Sequence, residues 1–319
     1  MEKYNQTSTD FILIGLFPPP SPPSRIGLFL LILIVLVFLT ALVGNLSMIL
    51  LILLDSHLHI PMYFLLSQLS LMDLTYISTT VPRMVSNFML DNEKSKSISF
   101  AECGIQIFLF LTLAGAEALL LAFMAYDRYV AICFPLHYPI RMNKRVCVLM
   151  ITGSWVLGSV NSCAHTGYAL NIPFCRSRAI NHFFCDVPAM LTLACMDTSL
   201  YEYMVFLSTT FFLMLPFTGI MYSYGRVLLA VYRMHSGAGR KKAYFTCSTH
   251  LTVVTFYYAP FAYTYLCPKS LRSPAEDKFV AVFYIILTPM LNPIIYILRN
   301  KEVMGALRRV TQRICSLSR

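Results

Sequence analysis

The 319-residue chain is 57% hydrophobic, with a mean hydropathy of +0.65 and a net charge of +10. So apolar a composition excludes an ordinary soluble domain. The basic excess falls in alternate connecting segments, which reads as an orientation signal and a contact for anionic membrane lipids, and excludes a nucleic-acid footprint.

Residues 1–25 are polar and then proline-rich (Pro18, Pro19, Pro20, Pro22, Pro23). They hold no short apolar core before a small-residue cleavage site, so the first span is expected to serve as the insertion signal. Asn5-Gln6-Thr7 is a glycosylation sequon on this segment, which is expected to face outward. Seven runs follow, each long enough for the roughly 20 apolar residues that cross a hydrocarbon core. Five carry no Asp, Glu, Lys or Arg: Ile26–Leu54, Val146–Cys175, Tyr203–Gly225, Ala243–Pro268 and Phe279–Leu298. Ile60–Pro82 and Cys103–Tyr126 each contain a single acid, Asp73 and Glu117. Asn45-Leu46-Ser47 has the form of a sequon but lies mid-span, out of reach of a glycosyltransferase. The predicted fold is an all-α membrane protein, a seven-transmembrane helix bundle over 26–298. An extracellular segment, 1–25, precedes it and a cytoplasmic tail, 299–319, follows.

Placing the C-terminus inside puts fifteen of the Lys and Arg residues on the cytoplasmic side and ten outside, as the positive-inside rule requires. The connection Asn171–Leu200 is the longest and carries three cysteines, so it is expected to be a stapled cap. Pro216, Pro260, Pro289 and Pro293 lie inside spans, where they kink a helix or free a carbonyl. After Leu298, Val303, Met304, Leu307 and Val310 recur among bases, the pattern of a short amphipathic helix on the inner membrane surface.

An acid in mid-membrane costs roughly 2.5–3.5 kcal/mol on insertion scales, so Asp73 and Glu117 should face the bundle interior. They can share a proton, hold a cation such as sodium with oxygens of Ser70, Asn45 or Asn292, or form a purely structural polar cluster. Asp127-Arg128 at the inner end of the third span can lock neighbouring helices and release them; an interfacial anchor is the plainer role. Cys103, Cys175, Cys185 and Cys195 lie on the oxidising side around one loop, which suggests two disulfides with three pairings open. No Ser/His/Asp set, zincin helix or phosphate loop is present, and Cys247-x-x-His250 is half a metal site, so an enzyme is not expected. A transporter or channel is the competing class, but the chain shows no internal two-fold symmetry to support it.

Several runs together are specific. They are Gly44-Asn45; Leu58-His59-Ile60-Pro61-Met62-Tyr63; Met124-Ala125-Tyr126-Asp127-Arg128-Tyr129-Val130-Ala131-Ile132-Cys133; Lys242-Ala243-Tyr244-Phe245-Thr246-Cys247-Ser248-Thr249-His250; and Pro289-Met290-Leu291-Asn292-Pro293-Ile294-Ile295-Tyr296. From about Asn5 to Val310 the chain resembles the olfactory receptors, rhodopsin-like G-protein-coupled receptors, of the tetrapod-type class and most similar to family two, near subfamily L. It departs from the usual pattern at Tyr244-Phe245 (usually Phe-Ser), Ile297 (usually Ser) and Ala259 (often Gly).

The resemblance implies a Cys103–Cys185 disulfide with Cys175–Cys195 as a second staple, Cys103–Cys195 being the alternative. It also implies a ligand site in the outer half of the bundle. The side chains expected there are Phe110, Leu111, Ala114 and Gly115; Ser208, Thr209 and Phe212; Tyr258, Phe261, Ala262 and Tyr265; and Val282 and Ile285. That lining is apolar and aromatic with a few hydroxyls and no acid, which suits a small neutral odorant and offers no counter-ion to an amine. Lys269 stands near the rim. The implied partner is a stimulatory, olfactory-type heterotrimeric G protein that raises cyclic AMP. The implied switch is Asp127, Arg128, Tyr224, His250, Asn292 and Tyr296, driven by a swing of the sixth helix.

Overall fold

The computed structural model describes residues 10–16, 25–89, 96–175, 178–233, 237–267 and 273–317. Among these, seven long helices run α1 (Arg25–Leu54), α2 (Pro61–Met89), α3 (Phe100–Cys133), α4 (Lys144–Leu170), α5 (Ser199–Tyr232), α6 (Gly237–Leu266) and α7 (Pro274–Arg299). An eighth, α8 (Lys301–Leu317), follows. Helices satisfy their own backbone polar groups, which is what a chain this apolar needs inside a bilayer. Five of the seven (α1, α3, α4, α5 and α7) are long and apolar enough on composition alone to cross a membrane. α2 carries Asp73 and Arg83, and α6 opens on Arg240, Lys241 and Lys242. The outward face of α1 is a row of exposed Leu36, Val43, Leu46 and Leu50, the surface a lipid phase would cover.

The helices outrun the apolar runs. α3 continues to Cys133 and carries Asp127-Arg128 on its last turns, and α5 continues to Tyr232. The expected fourth span is corrected: α4 ends at Leu170, capped by Asn171, and Cys175 lies in the loop. Hydropathy cannot see this stop, because Ile172 and Phe174 keep the run apolar while Pro173 ends helical pairing. Starts are set by local chemistry: Ser99 with Glu102 and Ser273 with Glu276 form capping boxes at α3 and α7.

α3 is the central helix, packed against α2, α4, α5 and α6. Gly158 allows α4 to lie directly on it, since a Cβ there would stand 2.5 Å from the Thr112 carbonyl oxygen. α7 has a π-helical turn at Phe283–Leu287, which no sequence periodicity announced. Between α4 and α5 the loop is pinned by Cys103–Cys185 and Cys175–Cys195, with Cα separations of 5.5 and 5.4 Å. A three-stranded sheet covers the same end: β1 (Phe11–Leu13) lies antiparallel to β2 (Ser97–Ile98) and parallel to β3 (Ala179–Ile180). A small second core of Phe11, Leu13, Ile98, Ile107 and Ile180 fills the space beneath.

The opposite end is basic, and α8 closes it. Its Val303, Ala306 and Val310 are buried, and Met304 and Leu307 half-buried, as amphipathic spacing requires. Arg309 donates twice to the buried Asp55 carboxylate (2.9 and 2.6 Å), and Tyr63 donates to Glu302 (2.8 Å).

Candidate ligand cavity and switch

A cavity of about 50 Å³ lies between α3, α4, α5 and α6, nearer the stapled end. Phe110, Leu111, Ala114, Gly115 and Ala118 line it from α3, and Asn161 from α4. Ser208, Thr209, Phe212 and Leu213 come from α5, and Tyr257, Phe261 and Tyr265 from α6. Binding sites for drug-sized ligands run to roughly 300–1,000 Å³, so only a small guest fits without moving side chains. The walls are aromatic. Phe261 lies 4.6 Å from Tyr284 and 4.8 Å from Tyr257, ring centre to ring centre. Phe110 meets Phe184, a residue of the stapled loop, at 5.2 Å, so the cap reaches into the bundle and packs on a wall of the cavity.

Tyr258, Ala262, Val282 and Ile285, expected at this site, do not line it. The register of α6 explains the first two. Tyr257, Phe261 and Tyr265 repeat every four residues on one face, and the next residue is turned by roughly 100°. Tyr258 instead packs on Phe217 and donates to the Ala118 carbonyl oxygen at 3.0 Å. Tyr257 donates to the Ala114 carbonyl oxygen, so two adjacent tyrosines tie α6 to successive turns of α3. Ile285 sits fully buried in the π-helical turn, where the extra residue per turn shifts the inward face of α7; Val282 is the residue just before that turn. Tyr257 was legible as the residue four before Phe261. Asn161 comes from α4, a helix outside the set of side chains that the resemblance implies.

At the basic end a cleft of about 790 Å³ is lined by Arg128, Lys241, His250, Tyr296, Arg299 and Lys301, among others. Arg128 Nη2 pairs with Asp127 Oδ2 at 3.0 Å, and Tyr138 donates to Asp127 Oδ1 at 2.8 Å. Tyr224 stands behind the cleft, its hydroxyl 2.6 Å from His250 Nδ1, linking α5 to α6.

Between cavity and cleft lies the polar cluster. Asn292 donates to Asp73 Oδ2 at 3.0 Å, and Asn45 donates to the Pro289 and Ala41 carbonyl oxygens at 2.8 and 3.0 Å. Asp73 Oδ1, Glu117 Oε1, Asn45 Oδ1 and Asn292 Oδ1 are buried and have no partner among the described residues. Buried oxygens without donors are costly, and this set suits a proton, water or a small cation.

The cap holds contacts that motifs did not point to. Lys278 donates to the Gly15 carbonyl oxygen at 2.9 Å, fastening the N-terminal segment to α7. Tyr265 donates to Asp186 Oδ1 at 3.2 Å, and the Cys185 backbone N–H donates to Gln106 Oε1 at 2.8 Å. His182, in the loop, is buried between Phe183 and Phe184; burial and then the nearby Lys278 charge push its pKa down to about 3. Asn5 and Lys269 lie outside the described residues.

Comparison with known proteins places the chain. The family model described as olfactory receptor matches residues 34–314. Among human relatives, the chain is 77% identical to olfactory receptor 2L5 and 76% identical to olfactory receptor 2L3, with 99% of each chain covered. It is 68% identical to olfactory receptor 2L13, over 97% of both.

Proposed function

Because this chain belongs to the olfactory receptor family, we propose that it takes a small, neutral, mostly apolar volatile into the cavity between α3 and α6 and activates a stimulatory, olfactory-type G protein that raises cyclic AMP. Members of the family are seven-transmembrane plasma-membrane receptors for odorants that act through G proteins, and they are not enzymes. The N-terminal segment, 1–25, with Asn5 as its glycosylation site, faces outward. The bundle occupies 26–298, and the tail, 299–319, lies in the cytoplasm with the basic end.

The single observation that supports this reading best is that α6, like the central α3, meets both sites. Its Tyr257, Phe261 and Tyr265 line the cavity, and its His250 lines the cleft. A guest favours the active packing only if it binds that packing more tightly. The tyrosine bonds to Ala114 and Ala118 are where this preference acts, since a guest pressing on α3 there strains both. Loosening them frees α6 to swing, parts Tyr224 from His250 and opens the cleft around Asp127-Arg128 and Tyr296. Asp73 and Glu117, with Asn45 and Asn292, hold a proton or a sodium ion that sets the balance between the two packings.

The test is a screen of small volatiles against cyclic AMP in cells expressing the full chain. Neutral compounds should raise cyclic AMP. A receptor delivered to the surface that answers to none of them, or only through another messenger, overturns the reading.

A further inference from the structure

Ser208 lines the cavity from α5, and its one hydroxyl hydrogen is already committed. The hydroxyl donates to the Val205 carbonyl oxygen at 3.1 Å and stands 2.8 Å from Nε2 of His165 on α4. Both tautomers of that imidazole lead to one result. With hydrogen on Nε2, the ring donates to Ser208 Oγ and the serine donates to Val205. With Nε2 bare, the serine donates to the ring or to Val205. In each case only oxygen lone pairs remain toward the cavity.

The tyrosine hydroxyls of the same lining are committed too, Tyr257 to the Ala114 carbonyl oxygen and Tyr265 to Asp186 Oδ1. Thr209 and Asn161 complete the polar lining and can each donate or accept, so neither opposes an acceptor at Ser208. The imidazole that sets the serine is itself fixed. Tyr201 donates to the His165 carbonyl oxygen at 3.1 Å with its hydroxyl 3.3 Å from Nδ1, and Tyr168 stacks on Tyr201 at 4.0 Å.

We propose that Ser208, oriented by His165, is the acceptor that receives the guest's hydrogen bond, and that the receptor selects volatile alcohols over ketones and ethers of equal size. The inference rests on the odorant reading of this cavity. A guest whose only polar atom is an acceptor gains nothing at Ser208 and bonds only at Thr209 or Asn161, whereas an alcohol donates to Ser208 and also accepts from one of those, one hydrogen bond more. His165 is a positioning residue: it keeps the serine hydrogen out of the cavity.

The probes are straight-chain primary alcohols of four to eight carbons with the matching 2-ketones and methyl ethers, read as half-maximal concentrations for cyclic AMP with surface delivery measured alongside. The alcohols should be at least about tenfold more potent than their partners, the worth of roughly one hydrogen bond. Ser208→Ala should reduce that ratio to near one by weakening the alcohols alone, while Thr209→Val preserves it. His165→Phe should narrow the ratio by strengthening the ketones, because the freed serine can then turn and donate, and His165→Gln, which returns an amide near Ser208, should restore it. Ketones or ethers as potent as alcohols in the native receptor, or a ratio that survives Ser208→Ala, overturns the acceptor assignment and leaves the odorant reading standing. A surface-delivered receptor silent to these probes but answering other volatiles overturns the assignment as well. Silence to every volatile overturns the odorant reading on which it rests.

Discussion

At the stapled end, a cavity of about 50 Å³ is walled by aromatic rings that a disulfide-pinned loop braces; at the basic end, a cleft of about 790 Å³ is rimmed by Arg128, Lys241, Arg299 and Lys301. The first is tight and nearly uncharged, and suits a guest with few atoms, for which each apolar contact must count. The second is wide and charged, and suits a macromolecule whose docking is steered by electrostatics. The middle of the bundle separates them with buried oxygens that lack partners among the described residues. The contrast teaches that recognition and output share α6 but little chemistry, so a substitution at one end should leave the other measurable.

The largest expected effect is at the basic end. Arg128→Ala removes the cation paired with Asp127 and opens the floor of the cleft. The cyclic AMP response should vanish while surface delivery and retention of an agonist in the cavity persist. Full-strength signalling in this variant would break the division of labour between the two ends.

Phe261→Ala acts at the other end and should reorder agonists rather than silence the receptor. Phe261 touches Tyr257, Tyr265, Tyr284 and Phe110, so its loss enlarges a cavity of about 50 Å³. Longer or branched volatiles should gain roughly tenfold in potency over short ones, read from dose–response curves. An unchanged ranking would remove Phe261 from the recognition surface. Stability is also forfeited, since a Phe→Ala truncation in a packed core costs roughly 3–5 kcal/mol.

The contrast between the ends was partly legible beforehand, and for physical reasons. Long apolar runs report helices because a bilayer tolerates little else; the family resemblance implied a site in the outer half of the bundle, and four-residue spacing on α3 set Phe110 and Ala114 on its inward face, where both line the cavity. On α6 the pattern is ambiguous, because Tyr257 and Tyr258 are both aromatic and only packing decides which turns inward. The π-helical turn at Phe283–Leu287 shifts the inward face of α7, and Val282 and Ile285, which the resemblance implied, do not line the cavity. Strands of two or three residues such as Phe11–Leu13 are too short for periodicity, and their partners lie far along the chain. The Cys103–Cys185 pairing came from family resemblance; counting cysteines left it open.

The cap should also respond to pH. Neutral His182 is buried in the folded loop with its pKa near 3, whereas an unfolded histidine titrates near ~6.5. The unfolded state therefore takes up the proton first, and stability falls as pH drops below ~6.5 until the folded group also titrates near 3. Thermal melts of purified receptor should show the melting temperature declining from pH 6.5 to 4, and His182→Gln should flatten that slope. A native slope no steeper than the variant's would mean that the loop opens to water and braces the cavity wall only loosely.

The smallest effect is expected where α8 meets the loop after α1. Asp55 is 2% exposed and accepts hydrogen bonds from Arg309 and from His57. Burial alone would raise its pKa, but the bonds from His57 and Arg309 outweigh that and hold the carboxyl well below the usual carboxylate range. Its contribution is thus present above about pH 4 and is lost as acid protonates it. Arg309 is 40% exposed, so solvent screens the pair and Arg309→Ala should cost only about 1 kcal/mol. The melting temperature should drop by a few degrees at pH 7, with odorant potency unchanged and coupling to G protein slightly weakened, since Lys301 and Glu302 on the same helix line the cleft. A shift in odorant potency instead would show that the two ends communicate through α1 and α8 as well as through α6.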